Sequence, residues 1–150
     1  MYYLLIITPV RITLIHFRRN SSMSLSIIGF PRIGANRELK FATEKYFKQE
    51  ISENELNQVG KQIRLENWQA QKDNQIELPV SNDFSFYDQV LDTSFFLNAI
   101  PKRYQELQLT SLGTYFALAR GFQDNTRDVK ALPMKKWFNT NYHYLVPELD

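Results

Sequence analysis

Gly29, Pro31 and Gly34 fall within six positions of one another, and this punctuation constrains the fold more than anything else in the chain. Glycine admits positive φ and close backbone approach, and proline fixes one turn dihedral. Before them, residues 24–28 are short, apolar and rich in β-branched side chains, which predicts a buried strand. After them, Asn36 is a good N-cap for a helix running from Arg37 towards Lys48. Residues 27–40 therefore read as a strand end, a Gly/Pro loop and a first helical turn. The chain must fold as something in which a strand feeds a helix.

The charges on this unit matter as much as its shape. Arg32, Arg37 and Lys40 all lie in the loop or the first turn, and Arg37 and Lys40 share a helix face. Cations at a helix N-terminus oppose the dipole, so they are not there for helix stability. Together with free backbone N–H groups they could hold an anion. An ordinary strand–loop–helix connection with solvated basic residues accounts for the same pattern.

Composition enters where it excludes chemistry. The 150 residues fit one domain or part of one, and 43% hydrophobic and 14% aromatic residues allow a core. With no cysteine there is no disulfide, thiolate ligand or cysteine nucleophile. The two histidines, His16 and His143, are too few for a structural zinc cluster. The net charge of +2 hides an asymmetry. Residues 1–22 hold Arg11, Arg18 and Arg19 and no acid, which leaves 15 basic against 16 acidic residues, net −1, from position 23 onward. Nucleic-acid binding by bulk charge is not expected.

Residues 1–17 are mostly apolar but short of the ~20 residues of a membrane span, and Pro9, Arg11 and His16 interrupt them. They lack the basic start and cleavage site of a signal peptide, and as a surface helix they have no clean polar face. We read residues 1–22 as an extension outside the fold, upstream of a true start at Met23, in preference to a membrane anchor.

Downstream, the helix after Asn36 carries Leu39, Phe41, Ala42, Tyr46 and Phe47 at near-helical spacing. Ser52 and Glu55 form a capping box, predicting a long helix to about Gln71. Its inner face would carry Leu56, Val59, Ile63 and Trp68 or Ala70, and its outer face Lys61, Arg64, Glu66 and Lys72. Gly60 costs that helix about 1 kcal/mol and so marks close packing. Residues 76–80 predict a second short strand and residues 84–97 a helix. Asp83 and Asp88 are either functional carboxylates or, more simply, a cap and a first-turn acid. Pro101 opens a loop, 114–120 reads as helix, and 121–127 as a mobile polar segment. Read as extended, residues 138–144 put Asn139, Asn141 and His143 on one face, with Phe138, Thr140, Tyr142 and Tyr144 on the other. The polar face could line a pocket or bond to backbone. His143 alone is a weak metal ligand.

Strands separated by helices predict a parallel α/β architecture. Its ligands gather at the C-terminal strand ends. Residues 29–40 and 136–143 are both strand-end segments, and so are expected on one face.

Two motifs in this order, Ile28-Gly-Phe-Pro-Arg-Ile-Gly34 with Arg37-Glu-Leu-Lys40, and Lys136-Trp-Phe-Asn-Thr-Asn-Tyr-His-Tyr144 with Val146-Pro147-Glu148, closely resemble the amino-terminal part of the cobalamin-independent methionine synthase family. Asp83-Phe84, Tyr87-Asp88 and Val90-Leu91 fit the same pattern, and the resemblance covers residues 23–150. It implies the first part of an amino-terminal (β/α)8 TIM-type barrel. The family moves a methyl group from 5-methyltetrahydropteroyltri-L-glutamate to L-homocysteine. Zinc, not cobalamin, assists, held by cysteine, histidine and glutamate near the far end of the full-length enzyme, and none of that set is expected here. By resemblance, Arg37, Glu38, Leu39, Lys40 and Lys136 contact the folate polyglutamate, with Arg32, Asn139, Asn141 and His143 as pocket-lining residues. No catalytic residue falls in this chain. The implied setting is cytoplasmic and monomeric, without nucleic acid or membrane. Stopping at Asp150, the chain is expected to be inactive alone, to leave strand edges and apolar faces exposed, and to fold poorly in isolation. The alternatives are a non-enzymatic anion- or polyglutamate-binding module, an inactive truncated product, or a protein anchored by residues 1–22.

Overall fold

A computed structural model describes residues 24–30 and 32–149 in full, and residues 3–8 and 11–16 by backbone alone. Met23, Pro31 and Asp150 lie outside the described residues, as do 1–2, 9–10 and 17–22, and with them much of the stretch read as an extension, residues 1–22. Within that stretch the backbones of β1 (Tyr3–Thr8) and β2 (Arg11–His16) pair antiparallel, Tyr3 opposite His16 and Thr8 opposite Arg11.

The helices are α1 (Glu38–Phe47), α2 (Glu53–Asp73), α3 (Gln89–Phe96), α4 (Lys102–Gln105) and α5 (Ser111–Arg120). The expected capping box starts α2: Ser52 Oγ accepts from the Glu55 N–H, and Glu55 Oε2 accepts from the Ser52 N–H at 2.7 Å. Leu56 and Ile63 are buried on its inner face as expected, but Gln71, not Trp68 or Ala70, completes it. Gln71 Nε2 donates to the Asn67 carbonyl and its Oε1 accepts from the Val80 N–H, so its amide is satisfied indoors. Arg64 is not on an outer face. Its guanidinium lies 4.3 Å from the Phe84 ring centroid and donates to the Phe84 carbonyl. Gly60 is closely packed as expected: a Cβ there would stand 2.8 Å from Phe86 Cζ.

Three expectations about local structure need correction. Residues 24–28 and 76–80 are not buried strands. They meet in one isolated parallel bridge, Ser26 to Leu78, where the Leu78 N–H donates to the Leu25 carbonyl at 3.1 Å, and Ile28 is 98% exposed. An apolar strand is buried only when both sheet faces are covered, and among the described residues the pair meets α2 at its end, where Trp68 and Gln71 bond to Val80, while Leu25, Ile28 and Leu78 stay exposed. Asn36 does not cap α1. Arg37 holds the N-cap position with φ 66° and no side-chain cap bond, while Asn36 gives its backbone N–H to Glu38 Oε2. The helix expected over 84–97 starts only at Gln89. Asp88 caps it by accepting from the Val90 and Leu91 N–H groups.

The remaining strands form antiparallel hairpins. Strands β3 (Phe122–Gln123) and β4 (Asp128–Val129) pair across a turn in which Asp124 accepts from the backbone N–H groups of Thr126 and Arg127. Strands β5 (Met134–Lys136) and β6 (His143–Leu145) pair with Lys136 opposite His143. Among the described residues the sheets are open, two-stranded and antiparallel, with one parallel bridge and no closed barrel. The core runs through Leu56, Leu91, Tyr104, Phe116, Leu118 and Leu145. Among the described residues no helix is long and apolar enough to cross a membrane.

Candidate functional site

The Gly/Pro loop is held from below by residues 83–87. Asp83 is buried, and its Oδ1 accepts from the Phe30 N–H at 3.0 Å while Oδ2 accepts from the Asn67 side-chain amide. Gly29, at φ 116°, packs so closely that a Cβ would lie 2.9 Å from the Asp83 carbonyl oxygen. Asp83 is thus neither cap nor first-turn acid but an anchor for the loop. Further along, Arg32 donates to the carbonyls of Phe86 at 3.1 Å and Tyr87 at 2.6 Å. Tyr115 secures the same segment from α5, accepting from the Tyr87 N–H and donating to Asp92 at 2.6 Å. Burial, and then the Asp92 carboxylate, push the Tyr115 phenol well above its usual range.

These restraints open a hollow of about 430 Å³ between α1, residues 86–87 and α5. Lys40, Thr43, Glu44 and Phe47 line one wall as a continuous helical stripe. Arg32 lies at one margin and Arg120 at another, with Phe86, Tyr87 and Phe116 between. The single carboxylate in the lining, Glu44, sits 3.7 Å from Lys40 Nζ. Both side chains are exposed, and such an i,i+4 pair contributes only about 0.3–0.5 kcal/mol. An incoming carboxylate can displace it.

Of the residues singled out from the sequence, Lys40 and Arg32 line this hollow, and buried Leu39 contributes to its wall. Arg37 is exposed at the helix start with no carboxylate partner among the described residues. The Glu38 carboxyl is held below its usual range by its own backbone N–H and that of Asn36. It therefore closes the loop rather than facing a ligand anion.

The second motif lies elsewhere. Lys136 is exposed at the end of β5, outside the hollow. Residues 138–142 are not extended but form the connection of the β5–β6 hairpin, closed by the Trp137 N–H to the Tyr142 carbonyl and the Thr140 N–H to the Trp137 carbonyl. Asn139, Asn141 and His143 are all exposed, so the expected polar face is not formed. A hairpin turn needs its residues to reverse direction, which ends the two-residue alternation. No hydrogen bond, ion pair or ring contact joins residues 29–40 to residues 134–143 among the described residues.

Arg120 was missed. Its only sequence signal is a basic last helical turn, which favours helices generally. A larger hollow, of about 1070 Å³, lies between the α1–α2 connection, α5 and β3–β4. Glu50, Glu53, Glu55 and Asp128 line it beside two cations, Lys130 and Arg120, and Arg120 lines both hollows. Among the described residues no group of three His, Cys, Asp or Glu could hold a metal ion.

The family model for the cobalamin-independent synthase N-terminal domain matches residues 24–150. The chain is 67% identical over 129 residues to a 5-methyltetrahydropteroyltriglutamate–homocysteine methyltransferase of Lactococcus lactis subsp. lactis strain IL1403, covering 86% of this chain and 17% of that protein. It is 57% identical over 128 residues to the like-named protein of Streptococcus sanguinis strain SK36, covering 85% and 17%. The chain thus spans about 17% of the length of these curated relatives. It belongs to the cobalamin-independent methionine synthase family, as part of the N-terminal domain.

Proposed function

We propose that this chain is the amino-terminal segment of a zinc-dependent methyltransferase that makes methionine from L-homocysteine and 5-methyltetrahydropteroyltri-L-glutamate, and that it helps hold the polyglutamate tail of the methyl donor. The observation that carries this is the arrangement of cations around the start of α1. Among the described residues Arg37 has no carboxylate partner and Lys40 meets only exposed Glu44 and the Phe41 ring, while Lys40 and Arg32 line one hollow. A triglutamate is a string of carboxylates, for which lysine and arginine donors are a suitable receptor. Lys136 belongs to the same proposal through its motif. It would reach the tail from the β5–β6 hairpin in the full-length protein.

The donor set does not fit zinc. The chain has no cysteine, and the described residues offer no metal cluster, so activation of homocysteine falls to another part of the enzyme. A TIM-type barrel is part of the proposal as well. What supports it is the parallel bridge between Ser26 and Leu78, with α1 and α2 in the connection between them, as in a β–α–β crossover. The full-length enzyme on this view is a cytoplasmic monomer.

Calorimetric titration of the full-length protein with the mono- and triglutamate forms of methyltetrahydropteroate tests the tail role. Lys40→Ala and Lys136→Ala should each weaken triglutamate binding roughly tenfold, about 1.4 kcal/mol, with little change for the monoglutamate. Equal losses for both ligands would contradict it.

A further inference from the structure

We propose that Arg120 is a further carboxylate-binding residue, which takes a far carboxylate of an oligoglutamate lying along α1. This rests on the tail-binding reading above and extends it to a residue that the two motifs do not contain.

The geometry around Arg120 is specific. Its guanidinium lies over the Phe47 ring, 3.9 Å from the ring centroid. Stacking uses the face of a guanidinium and leaves its edge of N–H donors free. Among the described residues no hydrogen bond or carboxylate meets that edge, whereas Arg103 and Arg127 both hold carboxylates, Glu148 and Asp124. Arg120 is therefore a cation held over an aromatic ring, without a carboxylate partner among the described residues, in the lining of a hollow that Lys40 and Arg32 also line.

Spacing then selects the ligand. Phe47 follows Lys40 by seven residues, so the two share a helix face about 10 Å apart along the axis. The glutamates of a folate tail are joined through their side-chain carboxyls, so each unit is longer than the about 3.5 Å of an ordinary extended residue; one glutamate still falls short of that axial spacing, and an oligoglutamate can span it. The stripe between them carries Thr43 and Glu44. Among the described residues Glu44 is the carboxylate in the lining of this hollow, and its repulsion would disfavour short anions that cannot gain Arg120.

The test is titration of the full-length protein with mono-, di- and triglutamate forms of methyltetrahydropteroate, using Arg120→Ala, Arg120→Gln and Lys40→Ala. Arg120→Gln keeps a planar group over Phe47 without the charge, which separates lost charge from lost packing. We expect both Arg120 variants to bind the triglutamate roughly tenfold more weakly and the monoglutamate unchanged. Glu44→Gln should strengthen the triglutamate. If both Arg120 variants bind the triglutamate as the wild type does while Lys40→Ala remains tail-selective, the Arg120 proposal is overturned and the tail reading stands. If Lys40→Ala is itself unselective, the tail reading falls, and the Arg120 proposal with it.

Discussion

Asp83 and Gly29 make a tight joint beneath the loop. The carboxylate takes the Phe30 N–H, and the glycine stands where a Cβ would press on the Asp83 carbonyl. Gly29→Ala combines that clash with a φ of 116° that side chains avoid. It should cost about 1–3 kcal/mol in urea unfolding. Unchanged stability would mean the loop is held differently. Gly60→Ala sets two effects against each other. Alanine would gain about 1 kcal/mol of helix propensity, whereas the 2.8 Å approach to Phe86 Cζ demands repacking at typically 1–3 kcal/mol. Net destabilisation is expected, and a more stable variant would show that Phe86 gives way freely. The close packing of Gly60 was legible, because an unfavourable residue inside a strong helix needs a reason. The anchoring role of Asp83 was not, since its partner is 53 positions away. Nor was Arg120, whose significance depends on Phe47 from another helix.

Among the elements, α2 was legible because its start is written locally in Ser52 and Glu55 and its interior keeps one period for 21 residues. Ser52→Ala should cost about 1 kcal/mol. The Glu55 carboxyl is held below its usual range by the Ser52 backbone N–H and then by the Ser52 hydroxyl. Its folded pKa lies below its unfolded value, so its contribution is present above the ordinary carboxylate pKa and lost as pH falls through the depressed one. Urea midpoints measured from pH 6 down to pH 2 should fall less steeply for Glu55→Gln than for the wild type. Parallel curves would remove the capping box from the account. The hairpins of residues 122–145 were not legible. Strands of two and three residues carry no measurable alternation, and the polar run 138–142 reads equally as strand or turn. The start of α1 was misread for a related reason: Asn36 has the preferred cap chemistry, but the backbone turns left-handed at Arg37 and Glu38 takes the loop N–H instead.

At the scale of the whole molecule, the mixture of helix and strand was read correctly, whereas among the described residues parallel pairing is confined to the bridge at Ser26 and Leu78. Several large apolar side chains lie outside the core, among them Ile28, which the sequence places in a buried strand. Ile28, Phe96 and Phe138 are each more than 85% exposed, and Leu97, Tyr142 and Leu149 are largely so. Exposure on this scale is unusual for a monomer that functions alone. The chain should bind an anilinonaphthalene dye strongly under native conditions, and absence of enhanced fluorescence would mean that these faces are covered.

The central claim is that residues around the start of α1 hold a polycarboxylate tail. Its most direct test is the affinity of the wild-type full-length protein for methyltetrahydropteroate carrying one, two and three glutamates, at low and high salt. Affinity should rise with each glutamate added, and the steps should shrink as salt screens the cations. An affinity independent of glutamate number would contradict the claim.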